Sequence, residues 1–442
     1  MKRLMTAAVL LLGSLCALKA EDGFNCFGMI AGKDCTTDGY VLIGHNEDDP
    51  GEQLLNIYPT DKYLWVEFPT LWAGDAFLTR TGVAVVSDNC RSREDKPLLT
   101  DGGIFYRLRV EVAKRAQSAR DGMHIIGELV EKYGYGDSGR SYLLADAEEG
   151  WIVSVVNGKH WVAQRIPDDQ IMLIPNYYVI DKVNLDDTVN FAGSKDIISY
   201  AIQRGWYNPS KDGEFSFRKA YSSGKMLTAK TNLYRHKAAL DYFRGGYADP
   251  NAEHPFSFKP AKKVSVQEMI NALSLHNPND VGTGSISGKS TVVSTIFQLR
   301  GNMPKELGCV MWTAMGHPCI EAYIPWHLGL KKAPEGWNRF DSWEEAEKKH
   351  FGDSNELRKF YPDCRYWRYA DRWAASKDDI INVEKQRKVL LKPFQKMMFK
   401  EAKIFEKKMM NKYGNRSIND PDSLSDEIET FLNGCYKQYD LL

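Results

Sequence analysis

The first part of the chain alternates short apolar runs with residues that favour turns. Residues 27–31, 40–44 and 82–87 are three such runs, with the sequences FGMIA, YVLIG and GVAVVS. Each has the length and composition of a β-strand. Asp38 and Gly39 lie between the first two runs and are residues that a tight hairpin turn prefers. We therefore predict that the first two strands form an antiparallel hairpin.

Four more apolar runs follow at short spacing, over residues 141–147, 151–156, 160–166 and 170–174. Because the connections between them are too short for crossover helices, they predict an antiparallel meander. Ahead of them, residues 104–133 carry apolar side chains at helical spacing. That helix should end at Gly134, since glycine commonly follows the last turn.

The pattern is looser beyond residue 176. It predicts helices over residues 194–204, with Ser194 as the cap, and over residues 264–275. Strands are predicted over residues 290–300 and 309–315.

From residue 343 onward the sequence is helical and charged. Within it, residues 377–412 mix Lys with Glu, which indicates a solvent-facing helix rather than a membrane-binding one. The fold class is therefore predicted to be α+β, with strands wrapped by helices. We expect one domain over residues 26–340 and a helical C-terminal region, residues 341–442, packed on it.

The composition is that of a globular protein, with 43% hydrophobic and 26% charged residues over 442 positions. Lys and Arg together number 58, as do Asp and Glu, so the formal net charge is zero. A chain without excess positive charge has no field to hold a polyanion, which excludes nucleic acid as an expected partner.

The first twenty residues have the pattern of a secretory signal peptide. Lys2 and Arg3 form a basic start, residues 4–18 are mostly apolar, and Ala20 is a small residue suited to cleavage. The apolar run is shorter than the roughly 20 residues that span a bilayer. We expect an exported protein, periplasmic or secreted, that has no contact with the membrane once the signal is removed.

Seven cysteines follow the predicted signal peptide, and an odd number leaves at least one thiol without a partner. They are Cys26, Cys35, Cys90, Cys309, Cys319, Cys364 and Cys435. The sequence does not choose among the possible disulfide pairings. Along the chain there is no close Cys pair, HExxH motif or other dense ligand cluster, so neither a metal nor an organic cofactor is expected.

Residues 282–291, GTGSISGKST, are similar to a phosphate-binding loop. The GxxxxGK[ST] pattern requires glycine at position 283, where this chain has Thr283. A predicted strand, rather than a helix, follows the loop. Both differences argue against a nucleotide-binding site.

The most informative segment runs from residue 26 to residue 49, CFGMIAGKDCTTDGYVLIGHNEDD. A cysteine leads the first predicted strand, and the second ends in Gly-His-Asn-Glu-Asp. The hairpin between them places Cys26 and Asp48 at neighbouring strand ends. A nucleophile and a carboxylate at that position are suited to an active site.

This segment resembles the bacterial cysteine dipeptidases of the dipeptidase A type, which are N-terminal nucleophile hydrolases related to bile salt hydrolases and penicillin V acylases. Their mature chains begin with the nucleophilic cysteine. The matching positions here are Cys26, Gly32, Lys33, Thr36, Asp38, Gly39, Gly44, His45, Asn46, Glu47 and Asp48. The chain departs from the pattern at Phe27, Cys35 and Tyr40.

Two later segments agree with the same family in order. TRTGVAVVSDNC resembles the family segment that ends in asparagine and points to Asn89. WIVSVVNGKHWVAQRIPDDQIMLIPN resembles the family's W-x-A-x-R-x-P-D-D strands and points to Asn176. The likeness extends from Cys26 to about residue 325.

The resemblance implies a four-layer αββα sandwich and a set of catalytic residues. Asp48 would orient the terminal amine or the thiol, Asn89 would donate to the oxyanion, and Asn176 would help to hold the amine. His45 stands where bile salt hydrolases carry an arginine, and it would support the site together with Asn46. These relatives also use a later arginine, for which Arg218 is the nearest candidate, although its register does not fit.

The chemistry of an N-terminal cysteine can be reasoned without the family. A thiol must lose its proton to attack an amide, and a free α-amino group titrates near ~7.7, so one residue supplies both nucleophile and base. This requires that residues 21–25 are removed as a propeptide. The resemblance implies self-cleavage by Cys26, although a separate protease could also remove them.

Each of these residues has an alternative role. Cys26 could be half of a disulfide, or could pair with His45 or His160 as in papain-like enzymes, although the C-G-S-C-W context is absent. Asp48, Asn89 and Asn176 could be turn or cap residues.

The sequence favours an exported cysteine dipeptidase that acts on small peptides through a thioester. The alternatives are an N-acyl amidohydrolase and an inactive secreted protein that binds peptides or glycans. Whether the chain forms a homo-oligomer is left open.

Overall fold

The computed structural model describes residues 26–49, 55–68, 73–276, 284–337, 358–359 and 362–442. The predicted signal peptide, residues 1–20, and propeptide, residues 21–25, lie outside the described residues. The strands, in chain order, are β1 (Phe27–Ala31), β2 (Val41–Asp48), β3 (Asn56–Pro59), β4 (Tyr63–Phe68), β5 (Ala73–Thr79), β6 (Ala84–Asn89), β7 (Tyr135–Ala145), β8 (Gly150–Gly158), β9 (Trp161–Ile166), β10 (Ile171–Ile174), β11 (Phe191–Gly193), β12 (Ser257–Phe258), β13 (Thr291–Leu299), β14 (Cys309–Met315) and β15 (Ile324–His327).

The α-helices connect and cover these strands. They are α1 (Arg107–Arg115), α2 (Ala119–Tyr133), α3 (Ile197–Gln203), α4 (Phe217–Tyr221), α5 (Gly224–Thr228), α6 (Lys230–Arg244), α7 (Val266–Leu273), α8 (Lys305–Gly308), α9 (Tyr366–Ser376), α10 (Ile380–Tyr413) and α11 (Pro421–Tyr439).

The strands form two sheets that pack face to face. The first has the order β12-β10-β1-β2-β13-β14-β15, and the second has the order β11-β9-β8-β7-β6-β5-β4-β3. β1 and β2 lie against β6 and β7, while α1 and α2 cover the outer face of the second sheet. On the outer side of the first sheet, α6 contacts β10 and α7 contacts β2 and β13. The predicted α+β class, with four αββα layers, is confirmed.

Side chains alternate between the two faces of each strand, and this explains why two separate apolar layers form. Leu143 of β7 packs towards Gly28 on the facing sheet, whereas its neighbour Leu144 packs towards Gly122 of α2. Both leucines are fully buried. Since successive strand residues point to opposite faces, one strand supplies both the layer between the sheets and the layer under the helices.

The predicted hairpin and strands are confirmed, with two corrections in the same region. The residues predicted as one long helix form α1 and α2, because the chain breaks at Ala116 and Ser118 caps α2 by accepting from the Asp121 N–H. The strands predicted as a single meander divide, since β10 leaves β9 and pairs with β1 in the other sheet. Gly32 N–H donates to Gln170 O at 3.0 Å, which docks the connection on the turn that follows β1.

Ser194 does not cap a helix, contrary to the sequence prediction. Its side chain accepts from the Trp161 N–H at 3.1 Å, and α3 begins later, at Ile197. The strands β3 to β5 were not predicted, because buried polar residues such as Glu67 and Asp75 interrupt their apolar pattern.

The C-terminal helices α10 and α11 pack against β15. Glu406 of α10 accepts from both guanidinium nitrogens of Arg300, at 2.7 and 2.8 Å, and lies 3.1 Å from His327 Nε2. Burial would raise the pKa of Glu406, but these partners lower it to about 2. The helical character predicted for this region is confirmed where it is described, and residues 343–357 lie outside the described part.

None of the seven cysteines between residues 26 and 435 is in a disulfide, and all of them are buried. For the six other than Cys26, packing as buried thiols rather than cross-linking is therefore the structural role. Within the described ranges, no helix combines the length and apolar character needed to cross a membrane.

Candidate active site

The β1–β2 hairpin sets the position of Cys26. Phe27 pairs with Asn46 in the antiparallel register, so Cys26 directly precedes β1 beside the last residues of β2. Its Sγ lies 3.9 Å from the carbonyl oxygen of Asp48, to which it donates, and the residue is only 1% exposed. The predicted proximity of Cys26 and Asp48 is therefore confirmed.

The Asp48 carboxylate is held by the last residues of the segment that is similar to a phosphate-binding loop. Thr291 Oγ1 donates to Asp48 Oδ1 at 2.7 Å, and Ser290 Oγ donates to Oδ2 at 3.1 Å. Gly288 N–H fixes Thr291 by donating to its hydroxyl at 2.9 Å. Burial raises the pKa of Asp48 to about 7, against the opposing effect of these hydroxyl donors. The segment that is similar to a phosphate-binding loop therefore binds the carboxylate of Asp48.

Arg235 of α6 connects the nucleophile to the two predicted asparagines. Its Nη1 donates to Cys26 O at 2.6 Å, and its Nη2 donates to Asn176 Oδ1 at 2.9 Å and to Asn232 Oδ1 at 2.8 Å. Asn176 Nδ2 in turn donates to the backbone oxygen of Asn89 at 3.0 Å. The structure thus brings Cys26, Asn89 and Asn176 together around a buried guanidinium.

Asn89 is the last residue of β6 and is half-buried. Its Oδ1 accepts from Ser138 Oγ at 3.4 Å, which orients the side-chain amide. Its Nδ2 donates to no residue in the described part of the chain. An amide donor in this position is chemically suited to an oxyanion.

Arg235 is the arginine beside Cys26 that sequence reasoning missed. Arg218, the sequence candidate, instead donates to His254 O at 3.1 Å and lies 3.8 Å from Asp181. In the sequence, Asn232 and Arg235 are three residues apart, a spacing that places both side chains on one face of a helix. No helix was predicted over these residues, so the spacing did not identify Arg235.

His45 lies between two carboxylates of the second sheet. Its Nδ1 is 3.4 Å from Asp75 Oδ2, and its Nε2 is 3.6 Å from Asp88 Oδ1 and 4.0 Å from Glu47 Oε2. All three acids and the imidazole are buried. Burial alone would lower the pKa of His45, but Asp75 and Asp88 more than offset it, so the pKa is raised well above the usual value. The two carboxylates therefore favour the protonated form of His45.

Gly28 is required for the close approach of Asp88 to His45. His45 pairs with Gly28 across the β1–β2 ladder, and a Cβ at residue 28 would lie 2.6 Å from Asp88 Oδ2. On the far side, Arg109 Nη1 donates to Asp75 O at 3.2 Å and lies 3.7 Å from Asp75 Oδ1. A glycine and an arginine thus position the two carboxylates that face His45.

The electrostatic surroundings keep the thiol protonated at rest. Burial raises the pKa of Cys26, and the negative charges of Glu47, Asp88 and Asp48 raise it further. The carboxylates beside His45 favour its protonated form, in which the imidazole is a poor base for Cys26. His160, the other histidine considered, lies 3.3 Å from Asp196 and stacks on Tyr200.

Asn46 points to the opposite face of β2 from His45. Its Nδ2 donates to Leu273 O and Ile286 O, both at 2.9 Å, on the helical side of the first sheet. Asn46 therefore links β2 to the end of α7, and its side chain supports the strand that carries His45 and Asp48.

Comparison with known proteins places this fold and site in context. The family model described as "Peptidase family C69" matches residues 81–357. Dipeptidase A of Lactobacillus helveticus is 28% identical over 280 residues, which cover 58% of this chain and 58% of that protein. A "Probable dipeptidase B" of Streptococcus pyogenes serotype M1 is 24% identical over 478 residues, covering 89% of this chain and 95% of that protein.

Among solved structures, the penicillin V acylase from Agrobacterium tumefaciens aligns over 69% of this chain and 87% of its own, with a TM-score of 0.36 and 12% identity. The match to the family model covers more than half of the chain and includes Asn89, Asn176 and Arg235. It confirms the resemblance that the motif around Cys26 indicated. The chain belongs to peptidase family C69.

Proposed function

We propose that this protein is an exported cysteine dipeptidase that hydrolyses the amide bond of small peptides through a thioester on Cys26. The observation that carries the proposal is the chain of contacts from Cys26 through Arg235 to Asn176 and Asn89. Export is proposed from the basic start and apolar run of the first twenty residues alone.

Removal of residues 21–25 would leave Cys26 at the chain terminus with a free α-amino group. That amine titrates near ~7.7 and can take the thiol proton near neutral pH. The amine would supply the base, because the thiol is buried among carboxylates that disfavour the thiolate and that favour the protonated form of His45.

In the proposed reaction the Cys26 sulfur attacks the peptide carbonyl as its proton moves to the α-amine. Asn89 Nδ2 donates to the resulting oxyanion. The α-ammonium then gives the proton to the leaving amine, and the thioester forms as the C–N bond breaks. Water, activated by the same amine, hydrolyses the thioester and restores the thiol.

Two further residues support this cycle. Arg235 fixes the backbone of Cys26 through its carbonyl oxygen, so the sulfur is positioned before substrate arrives. Asp48 lies beside the thiol and would orient the α-ammonium through its carboxylate. The same thiol attack on the peptide bond before Cys26 would account for self-processing.

Dipeptides are the proposed substrates because the chain belongs to a peptidase family and the relatives it matches are named dipeptidases. The chain spans 58% of the length of Dipeptidase A. An N-acyl amidohydrolase could use the same catalytic residues, so the substrate class needs a direct test.

The proposal is tested by measuring kcat/KM on a dipeptide panel and on matched N-acyl amino acids, in chelator-containing buffer. We expect dipeptides to be cleaved faster, and Cys26→Ser to cleave neither class. Preference for the N-acyl compounds would favour an amidohydrolase. Absence of turnover on either class in fully processed protein would favour a binding protein.

Replacing Asn89 by alanine is expected to lower kcat for a dipeptide by about a hundredfold or more, because one oxyanion donor is lost. KM and the thermal midpoint should change little, since Asn89 is at a strand end. Asn190→Ala is the matched control, because Asn190 bonds Asp187 in a surface turn far from Cys26. An unchanged kcat in Asn89→Ala would mean that the oxyanion is bound elsewhere.

A further inference from the structure

Three strands bring a thiol, an imidazole and a carboxylate to one point. Cys26 precedes β1, His45 lies on β2, and Asp88 lies on β6 of the facing sheet. One donor atom from each lies within 4.8 Å of the other two. The sequence spacing conceals this cluster, because Asp88 is separated from His45 by three intervening strands.

The His45 and Asp88 side chains of this cluster are buried and face carboxylate and imidazole groups only as ion pairs. Both ring nitrogens of His45 and both carboxylate oxygens of Asp88 lack a hydrogen bond to any described residue, and both side chains are fully buried. Buried polar atoms without partners are rare in folded proteins and call for an explanation such as an absent ion.

We propose that Cys26, His45 and Asp88 form a zinc site at which Zn²⁺ reversibly inhibits the enzyme. A thiolate, an imidazole nitrogen and a carboxylate oxygen are the donors that Zn²⁺ prefers. Neighbouring ligands of a tetrahedral zinc ion lie about 3.3–3.7 Å apart. The separation of 3.6 Å between His45 Nε2 and Asp88 Oδ1 fits that spacing.

Asp75 provides the carboxylate contact to the second ring nitrogen that zinc-bound histidines usually have. Asp75 Oδ2 lies 3.4 Å from His45 Nδ1, which directs Nε2 towards Asp88 and the thiol. Arg109 holds Asp75 from the other side. A carboxylate on the second ring nitrogen fixes the tautomer and raises the basicity of the ligand.

The cluster of His45, Glu47 and Asp75 also has donor atoms within 4.8 Å of one another. It contains no sulfur, and it would use the nitrogen that faces Asp75. The thiol-containing cluster therefore suits a soft divalent ion better.

Zinc binds a thiolate and an unprotonated imidazole nitrogen, so any proton on either atom goes to solvent when the ion binds. While its sulfur is bound to zinc, Cys26 is not available to attack a carbonyl carbon.

The fourth ligand depends on the proposed function. If Cys26 becomes the first residue, its α-amino nitrogen and its sulfur can bind one metal ion in a five-membered chelate ring. The three side-chain ligands do not depend on processing. We therefore expect the processed chain to bind Zn²⁺ more tightly than an unprocessed one.

The test is direct metal binding to the purified full chain, by competition with a chromophoric chelator for Zn²⁺ and by near-ultraviolet absorption with Co²⁺. We expect a single equivalent of either ion, a sulfur-to-cobalt charge-transfer band, and inhibition that EDTA reverses. Cys26→Ala should abolish the band, and Asp88→Asn and His45→Gln should each weaken Zn²⁺ binding by about tenfold or more. Asp75→Asn should weaken it by about tenfold to a hundredfold.

Cys35→Ser is the matched control, because Cys35 is another buried thiol and bonds backbone oxygens of Gly32 and Gln170. Alkylating wild-type Cys26 gives a second route that does not rely on a variant folding. Unchanged Zn²⁺ affinity after alkylation, or no stoichiometric binding by wild type, would overturn the site. Dipeptide hydrolysis by metal-free enzyme is measured separately, so failure of the zinc site and failure of the proposed function are distinguishable.

Discussion

Replacing Cys26 by serine should lower kcat for a dipeptide by at least about 10⁴-fold, as expected when a nucleophile acting with its own base is removed. Serine keeps the size of the side chain, but its hydroxyl is a far weaker nucleophile than a thiol at neutral pH. The same variant should accumulate with the residues before position 26 still attached. Steady-state kinetics and intact-mass measurement on one preparation check both outcomes.

The control for this prediction is Cys35→Ser, which alters a second buried thiol at the turn after β1. We expect it to be processed and to retain its kcat within a fewfold of wild type. If Cys26→Ser were processed and hydrolysed dipeptides at the wild-type rate, Cys26 would have no part in the mechanism.

Replacing Arg235 by lysine should lower kcat/KM for dipeptides by about a hundredfold to a thousandfold, comparable to the loss of a positioned donor group. Lysine keeps the charge but cannot bond Cys26 O, Asn176 and Asn232 at once. We also expect the free energy of unfolding to fall by about 3 kcal/mol, because buried acceptors are left without donors. Denaturant unfolding and steady-state kinetics measure the two effects.

Arg218→Lys is the matched control for Arg235→Lys. Arg218 is also a buried arginine that donates to a backbone oxygen, but its partner is His254 and not a residue of the site. It should lose stability without a comparable loss of kcat/KM. Equal losses of activity in the two variants would show that Arg235 acts only through folding.

The sequence was sufficient for those parts of the site that are close together along the chain. Cys26 and Asp48 lie on one hairpin, so turn residues and strand lengths were enough to predict that they are neighbours. Asn89 and Asn176 were predicted from the resemblance of their segments to the family; Asn89 is the last residue of β6, and Asn176 follows β10 by two residues.

The rest of the site depends on packing between sheets, which no local pattern shows. Arg235, which lies 59 residues beyond Asn176 in the chain, reaches Cys26 from α6. Asp75 lies on a strand that was not predicted, and Asp88 interacts with His45 only because Gly28 leaves space between the sheets. These contacts follow from tertiary structure, where buried polar residues interrupt the periodicity that identifies strands.

We expect the working enzyme to begin at Cys26. Intact-mass measurement of fully active protein, before and after alkylation by one equivalent of iodoacetamide, tests this most directly. The expected result is a mass that starts at Cys26, with the label on that residue and loss of activity in proportion to labelling. Fully active protein that still carries residues upstream of Cys26, or that stays active with Cys26 labelled, would contradict it.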